Sequence, residues 1–136
     1  MILDSSALMA IVNGEPGSDR VLRSAAAASC RMSVATWLEV GIVADARSAA
    51  HGERLDRVIG TLEVELEPVS ARQAEVARLA YRRYGHGSGS PARLNYGDCF
   101  AYALSVVVGE PLLFVGGDFR HTDVAAALDQ PGRPID

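Results

Sequence analysis

Four acidic residues stand where backbone elements begin or end. Asp4 follows the apolar start of MILDSSALMAIV, and Asp118 follows the apolar run of PLLFVGGDF in the same way. Glu39 lies in TWLE at the head of one apolar helical stretch, and Asp98 lies in NYGD at the head of another. Taken singly, each has a structural explanation. Thr36 to Glu39 fits a capping box, Asn95 can cap a helix with Asp98 in its first turn, and an acid near a helix N-terminus gains about 0.3 to 1 kcal/mol from the macrodipole.

Taken together, the four point to chemistry. In a parallel α/β sheet the C-terminal ends of strands and the N-terminal ends of helices share one edge, so all four acids gather on one rim. Two like charges about 4 Å apart repel by about 4 kcal/mol at an effective dielectric of 20, and four charges make six pairs. Caps worth about 1 kcal/mol each do not offset that. Either some carboxyls are protonated with raised pKa values, or a cation sits among them. An all-oxygen ligand set suits Mg²⁺ or Mn²⁺, and no His-rich spacing supports zinc. The chemistry of such a site is metal-assisted attack of water on a phosphodiester, with the ion also letting an acidic pocket accept an anion.

The elements that must position these acids can be read in outline. MIL is a short apolar strand, followed by a brief helix for which Ser5 or Ser6 serves as N-cap. EPGSDRVLRSAAAAS has a Pro-Gly entry turn and then a helical face, and RMSVA is a second strand. TWLEVGIVADARSAA is apolar on most sides and is expected to be a buried helix. GERLDRVIGTLEV carries a helical stripe, VELEPV alternates like a strand near a sheet edge, and SARQAEVARLAYRRYG is a helix with Ser70 and Gln73 in capping-box positions. HGSGSPARLNYG is too polar for core and is expected to be a mobile loop. DCFAYALSVVVG is a further helix, and EPLLFVGGDF a fully apolar strand. Strands alternating with helices predict an α/β fold with a mainly parallel sheet whose central strands are MIL and LLFV.

At 136 residues and 49% hydrophobic, the chain is expected to form a single domain over residues 1–136. No apolar run approaches the roughly 20 residues of a membrane span, and no basic region precedes an apolar one at the N-terminus, so a cytoplasmic protein without membrane association is expected. Cys30 and Cys99 lie far apart and suit small core residues in a reducing compartment. All thirteen basic residues are arginine. The absence of lysine excludes a P-loop and a Schiff-base enzyme. With a net charge of -4, bulk nucleic acid is held weakly, so an RNA partner requires a local site.

In this order, ILDSSAL, LEVGIV, LNYGDCFAYALS and PLLFVGGDFRHTDV resemble the PIN-domain ribonucleases, and specifically the VapC-type toxins of bacterial toxin-antitoxin pairs. The likeness runs over nearly the whole chain. It places the family's acidic quartet, catalytic and metal-binding, on Asp4, Glu39, Asp98 and Asp118, with Ser6 and Thr122 as supporting hydroxyls. It implies a three-layer α/β/α sandwich with a parallel sheet of about five strands, a Mg²⁺ or Mn²⁺ cofactor and endonucleolytic cleavage of RNA. It further implies a homodimer and a cognate VapB-type antitoxin whose C-terminal segment covers the acidic cleft. The chain departs from the family where a lysine and a second acid often precede the last aspartate. Val115, Gly116 and Gly117 stand there, so one well-held ion and a weaker second position are expected.

Other residues have blander readings. Asp123 is expected to cap the run VAAAL rather than to be a fifth ligand. His121 is read as a surface histidine, and Arg93 as an RNA contact or a solvated side chain in equal measure. Tyr96 and Trp37 can stack on bases, although Trp37 is expected in the core. Two rival functions remain. A haloacid-dehalogenase-like phosphatase needs a second aspartate where Ser6 stands, and a catalytically silent PIN-fold binding module is expected to lack one of the four acids, all of which are present.

Overall fold

A computed structural model describes residues 1–128. The elements run β1 (Ile2–Leu3), α1 (Ser5–Asn13), α2 (Ser18–Ala26), β2 (Arg31–Ser33), α3 (Val34–Arg47), α4 (Ala49–Thr61), β3 (Glu65–Glu67), α5 (Ala71–Tyr84), α6 (Tyr96–Val108) and β4 (Leu112–Leu113). A short 3₁₀ helix, Asp118–His121, follows. The four strands form one sheet in the order β3-β2-β1-β4, and every pairing is parallel. A rudimentary fifth position lies outside β4, where Ala126 bridges Leu112 in parallel, with Leu112 N donating to Ala125 O and Ala127 N to Leu112 O.

Strand alternation builds the layers. Ile2, Leu112 and Phe114 pack with α5 and α6 on one face, among Ala80, Tyr84, Leu94 and Leu104. Leu3 and Leu113 point the other way, into a second cluster with Leu8, Val12, Val40 and Leu55. With both faces covered, β1 and β4 have no polar side to offer, which is why MIL and LLFV are wholly apolar. Among the described residues no helix is long and apolar enough to cross a membrane.

Several expectations are corrected. The N-cap of α1 is Asp4 itself, whose side chain accepts from Ser6 N, so neither Ser5 nor Ser6 is the cap. α3 begins at Val34 with Ser33 as its N-cap, which removes the capping-box reading of Thr36 and Glu39 and puts Glu39 in the second turn. The same helix stops at Ser48, whose side chain accepts from His51 N and starts α4. α3 is also not buried all round, since Trp37, Leu38, Ile42 and Val43 are exposed. Its apolar residues outnumber those the sheet can cover, and Trp37 lies outside the core. The segment 86–97 is partly core, because Ala92 and Leu94 are buried and Gly85 bridges Leu94. Asp123 caps no helix. Residues 124–127 run beside β4, and Asp123 instead accepts from the Tyr102 hydroxyl and lies 3.6 Å from Arg83.

Candidate active site

All four acids meet at the C-terminal edge of the sheet. Asp4, Glu39, Asp98 and Asp118 line one pocket of about 320 Å³, together with Ser5, Ser6, Val43, Asn95, Val115 and Phe119. The sheet positions the first and last directly, because β1 and β4 are hydrogen-bonded neighbours and the ladder continues past their ends as Asp4 N donates to Leu113 O at 3.0 Å. Glu39 arrives from α3, which leaves β2 without a linker, and Asp98 from the first turn of α6.

Each carboxylate is held differently. Asp4 is buried, and its Oδ2 accepts from Ser6 N at 3.0 Å. Asp98 is also buried and forms a reciprocal cap with Asn95: Asp98 N donates to Asn95 Oδ1 at 2.8 Å, and Asn95 N donates to Asp98 Oδ2 at 3.0 Å. Glu39 is half-buried and its Oε1 accepts from the Ser5 hydroxyl at 3.4 Å. Asp118 is exposed at the start of the 3₁₀ helix. None of the four makes an ion pair with an arginine among the described residues.

The energetic consequence appears in the protonation of the two buried acids. Burial raises the pKa of Asp98 to about 7, and the charges of Asp4, Asp118 and Glu39 add to the rise against the Asn95 N–H. Burial also raises Asp4, opposed by its bonds to Ser6 and assisted by Glu39. Carboxyls raised by desolvation and by neighbouring carboxylate charge are what an uncompensated carboxylate cluster produces.

Ser6 and Thr122 part company. The Ser6 hydroxyl accepts from Val115 N at 3.0 Å and so ties the stretch leading to Asp118 against the first aspartate. The Thr122 hydroxyl donates to Phe119 O and accepts from Val124 N, securing its own turn, and does not line the pocket. His121 is exposed and outside the pocket, as is Arg93.

Three contributors were not singled out from the sequence as parts of the site. Ser5 supplies the hydroxyl to Glu39, and Asn95 both caps α6 and lines the pocket. Gly97 is the third: a Cβ built there would overlap the Glu39 carboxylate. Its signal is a glycine in the first turn of a helix, where alanine is about 1 kcal/mol better.

The pocket fits a hard divalent cation on its own chemistry. Its side-chain donors are carboxylate, hydroxyl and amide oxygens, and the lack of a side chain at Gly97 gives the Glu39 carboxylate its place beside the pocket. Among the described residues no three of these groups stand in ligand geometry around one point. Asp4, Asp98 and Glu39 are instead each engaged by a separate hydrogen bond, from Ser6, Asn95 and Ser5.

Comparison with known proteins gives a consistent result. The PIN domain family model matches residues 1–125. Ribonuclease VapC42 of Mycobacterium tuberculosis is 48% identical over 130 residues, covering 93% of this chain and 98% of that protein. The crystal structure of Mycobacterium tuberculosis VapC20, described as a sarcin-ricin loop cleaving toxin, superposes with a TM-score of 0.72 at 18% identity, over 91% of this chain and 95% of that one. A toxin-antitoxin complex from Klebsiella pneumoniae gives a TM-score of 0.64 at 20% identity, over 87% and 88% of the two chains. The acid-lined sheet edge, the all-parallel topology and these near-full-length likenesses agree, and the chain belongs to the PIN-domain family, among its VapC ribonucleases.

Proposed function

We propose that the chain is a Mg²⁺- or Mn²⁺-dependent endoribonuclease acting as the toxin of a toxin-antitoxin pair, with Asp4, Glu39, Asp98 and Asp118 as its working acids. The single observation that carries the reading is the convergence of four carboxylates from four segments on one pocket, with no arginine among them in the described residues. The family assignment supports the ribonuclease activity, and the VapC relatives support the toxin role.

Asp4 and Asp98, fixed by backbone N–H groups, would hold the ion, with Glu39 and Asp118 completing the ligand set directly or through water. When bound, the ion supplies a water of lowered pKa and neutralises charge on the phosphoryl oxygens. The protein's own residues keep that arrangement in place. Ser5 restrains Glu39, Ser6 fixes the approach of Asp118, and Phe119, packed on Phe114 at 5.3 Å, closes the floor against the core. Thr122 steadies the turn that carries Asp118.

Partner binding has a structural counterpart on α3. Leu38, Ile42 and Val43 line an apolar cleft with Tyr96 and Phe100 that shares Glu39 and Val43 with the acidic pocket. A VapB-type antitoxin segment seated there reaches the carboxylates, and an arginine on it provides the missing counter-charge. A homodimer is part of the same proposal.

The test is cleavage of a structured RNA by purified protein free of contaminating nuclease. Mg²⁺ or Mn²⁺ should be required, EDTA should stop the reaction, and Asp98→Asn should fold yet lose cutting. Cleavage that survives EDTA overturns the mechanism, and full activity in the variant overturns the role of Asp98.

A further inference from the structure

The chain from residue 76 to residue 97 contains four arginines, Arg78, Arg82, Arg83 and Arg93, and not one acid, in a protein of net charge -4. That segment ends at the carboxylate pocket, to which Asn95 and Asp98 belong. Within it, residues 86–93 enclose a cleft of about 550 Å³, lined by His86, Gly87, Gly89, Ser90, Pro91 and Arg93. The size is that of a ligand site, and the lining consists of small polar and backbone groups around two basic side chains.

The loop is built to hold its shape. The Ser88 hydroxyl donates to Gly85 O at 2.7 Å, Ser90 N donates to the Ser88 hydroxyl, and Ala92 N donates to the Ser90 hydroxyl. Leu94 N donates to Tyr84 O at 2.8 Å, and His86 N to Leu94 O at 3.0 Å. Arg93 is therefore carried between two buried residues, Ala92 and Leu94. Its backbone is left-handed, with φ of 51°. An L-residue pays for that conformation and glycine does not, so an arginine there is a strained choice of the kind that marks functional positions. Unlike Arg83, which is tied to Asp123 and stacked on Tyr84, Arg93 makes no ion pair among the described residues.

We propose that the 86–93 cleft binds a backbone phosphate of the RNA strand flanking the cut, with Arg93 as its main cationic contact and His86 beside it. The proposal rests on the ribonuclease reading and names how that site holds its substrate. A basic cleft whose Arg93 stands two residues along the chain from Asn95 of the acidic pocket separates two tasks, because phosphates are attracted by the first and, on the ribonuclease reading, hydrolysed in the second. An acidic protein segment meets the same charges, but the lining offers a peptide little apolar surface, whereas donors of this kind suit phosphate oxygens.

The experiment places Arg93→Gly and Arg93→Lys in an Asp98→Asn background that does not cut. Binding of a fluorescein-labelled RNA stem-loop is followed by anisotropy across a salt series. Arg93→Gly should weaken binding several-fold at low salt and flatten the slope of log K against log salt by about 0.7 to 0.9, the share of one phosphate contact. Arg93→Lys should retain most of the slope. The melting temperature of Arg93→Gly should be unchanged or higher, since glycine relieves the left-handed backbone. An unchanged slope in Arg93→Gly overturns the proposal. So does an unchanged RNA slope with loss of binding to polyglutamate, which assigns the cleft to acidic protein. If the wild type fails to cleave RNA while Arg93 still governs the slope, the phosphate cleft stands and the cleavage reading falls.

Discussion

Gly97, in the first turn of α6, abuts the carboxylate of Glu39 on α3 so closely that no side chain fits between them. Two helices from distant parts of the chain thus meet through an absence, and the space left is where Glu39 turns toward the pocket it shares with Asp98.

Gly97→Ala should therefore separate stability from activity. Alanine favours the helix by about 1 kcal/mol over glycine, and the group it displaces is the mobile end of Glu39, so the melting temperature should not fall. Activity should drop about 10- to 100-fold, as for residues that orient metal ligands. Thermal unfolding and RNA cleavage on the same preparation check both halves; a variant with wild-type activity shows that the Glu39 position is not needed.

The pH dependence of the metal-free protein follows from Asp98. Its folded pKa is raised to about 7 from the ordinary carboxylate value near 3.8, so between those values the folded state holds more proton than the unfolded chain. Stability must then decline as pH rises through that window, by up to about 1.4 kcal/mol per pH unit for one full proton. Asp4, raised in the same direction, adds to the trend. Urea melts without metal at pH 5 and pH 7.5 should show the higher pH to be less stable. Added Mg²⁺ should reduce the difference and release protons, visible in calorimetry across buffers of different ionisation heat.

Ser6→Ala tests the link between the first and last strands. Removing the hydroxyl leaves Val115 N without its acceptor, at a cost of about 1 to 3 kcal/mol. Because Val115 leads into the Gly116–Gly117 approach to Asp118, RNA cleavage should fall along with stability. A fall in melting temperature with full activity would confine Ser6 to a structural role.

The acids at strand ends were legible because apolar runs such as MIL and LLFV can only be central strands in a covered sheet, and the residue after each must lie on its edge. What escaped was side-chain partnership across segments. Thr36 and Glu39 match a capping box by spacing alone, yet α3 starts at Val34, two residues before Thr36, because Ala35 N already donates to the hydroxyl of the N-cap Ser33. The apolar character of α3 reads as burial, but Leu38 and Ile42 point away from the sheet, and a sequence does not distinguish a core face from a face awaiting a partner. The segment 86–97 looks like a loose loop because its polar residues outnumber Ala92 and Leu94, the two that anchor it. Ser5 and Gly97 both bear on Glu39, which lies far from each in sequence.

The most direct measurement is a Mn²⁺ titration followed by electron paramagnetic resonance, comparing the wild type with Asp4→Asn/Asp98→Asn. One well-held ion per wild-type chain, lost in the double variant while its fold is retained, is the predicted result. Equal binding by both proteins, or none by the wild type, contradicts the claim that these acids form a pocket for a divalent cation.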